Sequence, residues 1–345
     1  SYPAFFKLQS VADAKALVAH YQAQGTDFIK VYEKLSLQQY QWLVAAADEA
    51  DLTLAGHQPW LVSFTQMLEA GQRSVEHGRV FIFECADAIK AYKQQPLSRS
   101  FQPEQWRELL QSQNPELCQQ LMQHMALSNT WWSPTLLTLQ LGAKAGDTAF
   151  RQDNRLKFVP YLLQLLWQGD ADAMLKKAYD SKGLNVHAEL LVLAQQQVKQ
   201  AQQAGVKILA GTDTPDSFVF AGSGLHDELA LYQQAGLTPL EVIQTATINP
   251  AIFSGIAAHT GSVAVGKTAD LLLLNHNPLL DLTTMRQPEA VLLAGHWYPK
   301  TVLQQLENFA EEQANSQFYL IEIRDNGIGF DPDEAERIFN VFTRL

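Results

Sequence analysis

Val206-Lys-Ile-Leu-Ala-Gly-Thr-Asp213 is an apolar run that ends in a carboxylate, and four earlier runs share its texture: Phe28 to Tyr32, Leu52 to His57, Ser74 to His77 and Thr130 to Thr135. Each is short, rich in Val, Ile, Leu or aromatic residues, and closed by a polar or hydroxyl-bearing residue. Segments of helical period lie between them, among them Leu37 to Ala50 and Asn185 to Ala204. Continuous apolar strands alternating with amphipathic helices predict repeated βα units around a parallel sheet. Such a sheet is buried on both faces, so its chemistry collects where the strands end. Lys30, His57, His77 and Asp213 are the polar groups those ends would bring to one mouth.

The remaining chain bounds the reading. A length of 345 residues with 47% hydrophobic and 18% charged side chains excludes a disordered or fibrous protein and suffices for a large core. Against 36 Asp and Glu stand 25 Lys and Arg, a formal net charge of -11, which disfavours nucleic acid or an anionic membrane as partner and favours a small molecule. No apolar run approaches the roughly 18 residues of a membrane span, and no signal-peptide pattern opens the chain. The chain reads as soluble, its compartment open. Cys85 and Cys118 are too few for a disulfide framework and lack a CxxC spacing.

Between His77 and Trp131 a Gln-rich, mostly helical insertion reads as a surface excursion or a lid that shapes the pocket. After Pro250 two strand-like runs bounded by turn residues, Gly261 to Asn275 and Ala290 to Tyr298, predict a small β module. The resulting divisions are 1–255, 256–302, a linker or helix over 303–316, and a distinct segment over 317–345.

Imidazoles and a carboxylate at strand ends are the donor set of a divalent metal with an open position for water. Taken singly, a histidine at a strand end is more often a hydrogen-bonded structural residue, Lys30 would point out to solvent, and Asp213 would cap a turn. The surrounding words shift that balance. Phe28-Ile-Lys-Val-Tyr32, Ala55-Gly-His57, Ser74-Val-Glu-His77, Trp132-Ser-Pro-Thr135 and Leu209-Ala-Gly-Thr-Asp213 resemble, in order, strands four to eight of the amidohydrolase superfamily barrel, in its imidazolonepropionase-like and prolidase-like branch. Leu225-His-Asp-Glu-Leu229, Ala246-Thr-Ile-Asn-Pro250 and Gly266-Lys-Thr-Ala-Asp270 resemble the family's closing signature, so the resemblance spans about residues 10 to 300.

The resemblance implies an α/β fold, a partial TIM-type (β/α) barrel with part of a small β-sandwich and a C-terminal appendage. It implies a hydrolase of a C–N bond in a small amide, dipeptide or cyclic amide, with one or two divalent ions, zinc foremost. His57 and His77 would bind metal; Asp213 would ligate it and pass a proton from the attacking water to the leaving nitrogen. Lys30 takes the position that in many relatives is a carboxylated lysine bridging two metals, and both states stay open here. His226 and Glu228 fall where substrate or ligand-supporting contacts are expected, and Tyr32 either reaches a substrate oxygen or packs as a strand aromatic.

Two departures accompany it. The His-x-His pair of the family's first strand is absent from the sequence, so the chain reads as lacking the first three strands, and a catalytically inactive fragment is the alternative function. Exposed strand edges would suit a homo-oligomer. In the tail, Asp325-Asn-Gly327-Ile-Gly329-Phe-Asp331 and Ile338 to Leu345 resemble the G1 and F boxes of a histidine-kinase ATP-binding domain. About 29 residues are too few to build that domain, so nucleotide binding through Asp325, Gly327 and Gly329 is the weakest reading.

Overall fold

The computed structural model describes residues 8–94 and 101–315. The tail motif with Asp325, Gly327 and Gly329 lies outside the described residues. Helix α1 (Val11–Ala23) leads to strand β1 (Phe28–Val31), α2 (Leu37–Glu49), β2 (Thr53–Gly56), α3 (Phe64–Glu69) and β3 (Ser74–Glu76). Sequence signals set these starts: Ser36 and Ser63 each accept a bond from the backbone of a Gln three residues on, while that Gln reaches back to the cap. The insertion then forms α4 (Arg79–Glu84), α5 (Ile89–Tyr92), α6 (Pro103–Gln111) and α7 (Pro115–Leu127), with proline in the first turn of the last two. Strand β4 (Trp131–Ser133) follows.

Strand β1 pairs in parallel with β2, Val31 opposite Gly56, and β3 pairs in parallel with β4, Glu76 opposite Ser133. A bond from Arg73 N to Leu54 O, 2.6 Å, bridges the two pairs. The run Val206 to Asp213 does not form the expected fifth strand. It keeps two ladder bonds, Trp132 N to Lys207 O at 2.9 Å and Leu209 N to Trp132 O at 2.8 Å, and a parallel bridge at Ile208. From Ala210 the backbone leaves that register, Ala210 N bonding to Thr245 O at 2.9 Å, and turns through a positive φ at Asp213.

Next come α8 (Leu137–Lys144), α9 (Thr148–Arg151), a 3-10 turn (Asn154–Phe158), α10 (Tyr161–Leu175) and α11 (Val186–Ala204). Helices α12 (Gly224–Ala235), α13 (Pro239–Thr245) and α14 (Ile248–Phe253) close this part. The β module forms as an antiparallel sheet of β5 (Leu271–Leu273), β6 (Ala290–Leu293) and β7 (His296–Pro299), and α15 (Lys300–Asn315) ends the described chain. Lys157 anchors α15 by a 2.7 Å ion pair to Glu311.

The core joins strand residues such as Val31, Val75 and Trp132 to helix residues such as Tyr40, Leu190 and Tyr232. The insertion belongs to that core rather than to a surface excursion: Phe81, Ile82, Leu109, Met122 and Met125 are fully buried. Its two cysteines, read as no framework, form one bond, Cys85 to Cys118 across 33 residues. Closing a loop of that length removes about 4 kcal/mol of entropy from the unfolded chain. None of the described helices is long and apolar enough to cross a membrane.

Candidate metal centre

The strand ends converge. His57 follows β2 directly, and its N–H continues the ladder to Val31 O at 3.0 Å. Gly56 permits this: its φ is +115°, and a Cβ there would stand 2.5 Å from Val31 O. His77 follows β3 and bonds Ser133 O at 2.8 Å, but at φ +74° it leaves the strand's alternation. Glu76 and His77 therefore both reach the site, where a regular strand would send neighbours to opposite faces. Thr135 (φ +43°) and Asp213 (φ +60°) share the left-handed region, which costs a side-chain-bearing residue energy and gathers at functional sites.

The Nε2 atoms of His57 and His77 face each other at 2.9 Å. His57 Nδ1 stands 3.8 Å from Glu76 Oε2, and ligand atoms of His57, Glu76 and His77 lie within 4.8 Å of one another. Donors about 2.1 Å from a tetrahedral ion are spaced about 3.4 Å apart, so this set needs only small adjustment. Burial lowers both imidazoles, His77 to about 3 with His57, Arg79 and Lys30 adding to the effect, so both rings are neutral and carry a lone pair at pH 7. His57 Nδ1 is buried with no hydrogen-bond partner. One nitrogen from each neutral ring and one oxygen of Glu76, all within 4.8 Å of one another, form a donor set that fits a divalent cation.

His77 is held from behind. Its Nδ1 lies 2.8 Å from Thr135 Oγ1, and its carbonyl accepts from Trp132 Nε1 at 3.0 Å. The Thr135 contact fixes the ring and leaves Nε2 toward His57. Asp213 Oδ2 is 3.9 Å from His77 Nδ1, on the other edge of that ring, and its side chain is 44% exposed. Lys30 Nζ bonds Glu76 at 2.9 Å, as an ammonium on the same carboxylate. Tyr32 is not packed into a core: the residue is 57% exposed, and its ring lies 4.3 Å from the His57 ring.

The two residues on α12 are set apart. Glu228 is fully buried and accepts from Leu136 N at 2.7 Å and Leu137 N at 2.9 Å, which anchors the turn that carries Thr135. Burial outweighs those bonds and raises its carboxyl to about 7. His226 is half-buried beside Asp227 and Arg286, and neither it nor Glu228 lines the cavity over the metal cluster. That cavity, about 850 Å³, lies within the range of small-molecule sites and is lined by Lys30, Tyr32, His57, Glu76, His77 and Asp213. Trp60, Phe83, Phe101 and Trp106 form an aromatic wall on it, Phe83 stacking on Trp106 at 5.5 Å. Glu76, Thr135 and Arg79 received no role from sequence. Glu76 and Thr135 stand inside the quoted words, but the turn that aims them is not written in residue type.

Residues 157–298 match a model described as the amidohydrolase family. An ochratoxinase of Aspergillus niger is 37% identical over 108 residues, 30% of this chain and 22% of that protein's length. A bottromycin amidohydrolase structure superposes with a TM-score of 0.70 at 23% identity, over 90% of this chain and 64% of its own. An Xaa-Pro dipeptidase with bound methionine gives 0.54 at 18%, over 85% and 59%. The chain thus spans under two thirds of the length of each of these relatives, and at such identities the superpositions speak for the fold. The sequence match to the amidohydrolase family covers residues 157–298, the segment that contains Asp213.

Proposed function

We propose that the chain is a metal-dependent hydrolase of a carbon–nitrogen bond, acting on a small amide, dipeptide or cyclic amide. The observation that carries this is the group of His57, Glu76 and His77, whose ligand atoms lie within 4.8 Å of one another on the lining of a cavity that also presents Asp213. His57, His77 and Glu76 would hold the ion, with zinc first among candidates for such nitrogen and oxygen donors. When bound, the ion polarises a substrate carbonyl and lowers the pKa of water toward about 7.

The chain's own residues supply the rest. Asp213 has an exposed carboxylate that accepts no hydrogen bond among the described residues, so it is free to take a proton and return it to the leaving nitrogen. Lys30, if carboxylated, would recruit a second ion; as an ammonium it neutralises Glu76 and leaves a one-metal site. Tyr32, over the His57 ring, is placed to meet a substrate oxygen. His226 and Glu228 act from behind the lining, Glu228 through the turn that carries Thr135. The divisions at 255, 302 and 316 and a homo-oligomer sharing strand edges belong to the same proposal.

Metal per chain after dialysis and reconstitution tests it. One or two ions are expected in the parent protein and none in His57→Ala or His77→Ala, while Asp213→Asn lowers turnover of a dipeptide and N-acyl amino acid panel about 100-fold or more. A reconstituted protein without metal would sink the reading and leave an inactive fragment.

A further inference from the structure

We infer that the outer face of α10 holds the aliphatic chain of the substrate, so that the site takes amides carrying a long acyl chain; this rests on the hydrolase reading and names the substrate class for the same cavity. Helix α10 (Tyr161–Leu175) has two apolar faces. One is used: Trp167 and Ala171 are buried against Phe218 and Phe220, on the segment that follows Asp213, with the Trp167 ring 5.5 Å from each phenyl ring. Ser217 Oγ adds a 2.5 Å bond to Asp170. These contacts fix the rotation of the helix, so its other face looks outward. There Tyr161, Leu162, Leu165 and Leu166 are exposed by 65, 48, 39 and 42%.

Scattered exposed leucines are ordinary, but a continuous apolar strip that runs into a cavity is not. Leu162, Leu166, Gly169 and Ala173 recur at helical spacing and so lie in one row. Gly169 sits in the interior of the helix, where glycine weakens it, and a Cβ there would meet nothing within 4 Å. The row is therefore a shallow trough with leucines at one end. At the other end Ala173 is exposed and also lines the cavity over the metal cluster, with Asp170 and Lys177 beside it on the lining. From Leu162 to Ala173 the row spans about 16 Å at about 1.5 Å per residue, the reach of a dodecanoyl to tetradecanoyl chain. A chain laid along it would keep its amide at the rim, among polar groups, and cover its methylenes with leucine. A second protein is a poorer occupant, because the strip offers a handful of residues against the roughly 20 to 30 a side of a standard interface.

Equilibrium binding of N-acetyl-, N-butanoyl-, N-octanoyl- and N-dodecanoyl-L-alaninamide to the metal-reconstituted full chain, below the micelle concentration, tests this. The probes share one uncharged head and differ only in chain length. Full burial of a methylene tightens binding about fourfold; one-sided contact with α10 should give about 1.5-fold per methylene, roughly 30-fold from butanoyl to dodecanoyl. The double variant Leu162→Gln/Leu166→Gln should lose most of that gain, yet bind the acetyl probe as the parent does and keep its metal content. Equal binding across the series, binding of none of the probes, or a chain-length gain that survives in the double variant would overturn the inference. So would a parent dimer that the double variant dissociates, because a second copy would then occupy the face. Hydrolysis of N-acetyl-L-alanine p-nitroanilide, which has no long chain, reports on the hydrolase reading by itself. Its cleavage alongside a flat binding series would leave the hydrolase standing and remove α10 from it; no cleavage by the metal-loaded chain would sink the hydrolase, whatever the series shows.

Discussion

Two polar clusters in this molecule use the same residue types to opposite ends. At the clamp on α6, Arg107 Nε donates to Asp180 at 2.7 Å, and its two terminal nitrogens donate to the two oxygens of Glu189 at 2.6 and 2.7 Å. Asp180 accepts further bonds from the backbone of Lys182 and Leu184, and both carboxyls are held below their ordinary range, Asp180 chiefly by the Leu184 N–H and Glu189 by Arg107. Nearly every donor and acceptor there has found its partner. In the strand-end cluster His57 Nδ1 has none, one imidazole Nε2–H donates to the other ring's Nε2, and the Asp213 carboxylate accepts no hydrogen bond among the described residues. A saturated cluster fastens helices together; an unsaturated one, held open by backbone turns at His77, Thr135 and Asp213, is built to receive something.

Glu228 presses hardest on this distinction, because it is saturated yet wholly enclosed. Its folded pKa, about 7, lies above the ordinary 4.5. The native state therefore holds a proton that the unfolded chain releases between those values, and stability falls as pH rises from about 4.5 to 7, then levels off. The loss attributable to this group is bounded at roughly 3 kcal/mol. Urea unfolding at intervals from pH 4.5 to 8 should show a steeper decline for the parent protein than for Glu228→Gln; matching slopes would mean that the Leu136 and Leu137 N–H groups fully offset its burial.

Arg107→Met tests the other pole. Arg107 and Asp180 are largely shielded from solvent while Glu189 is half exposed, so the expected effect is a clear loss of stability in urea unfolding as the charge-assisted bonds are lost. Metal content should not change. Loss of metal in this variant would show that the two clusters are coupled through α6 and are not separate devices.

How far the sequence reached follows the same line. Apolar runs placed β1 to β4, helical period placed α2, and His57, His77 and Asp213, expected at one mouth, line one cavity. The Val206 to Asp213 run failed as a strand because texture reports burial rather than ladder geometry, and its hydrogen bonds go to Trp132 and then to Thr245. The apolar content of the insertion was masked by its glutamines, so core residues such as Phe81 and Met125 read as excursion. Cys85 and Cys118 give no sign of pairing in their spacing; the fold decides it by bringing the residue that caps α4 to within 4.7 Å, Cα to Cα, of Cys118 on α7. Glu76 was hidden by strand alternation, which His77 breaks with a positive φ that histidine does not advertise.

The finest test falls on Thr135, which belongs to both kinds of cluster: its backbone is anchored near the saturated Glu228, and its hydroxyl serves the open His77. Thr135→Val keeps the β-branch, the volume and the strained backbone, and removes only the hydroxyl. His77 Nδ1 then loses its 2.8 Å partner, and the ring is free to change tautomer or rotate away from His57. Removing such a supporting contact lowers metal affinity about 10- to 100-fold in comparable sites. Competition for zinc against a chelator of known affinity should register that drop without a matching loss of stability. Unchanged affinity would place the ring under the control of Trp132, which bonds the His77 carbonyl, and would mean that the strand alone aims the ligand.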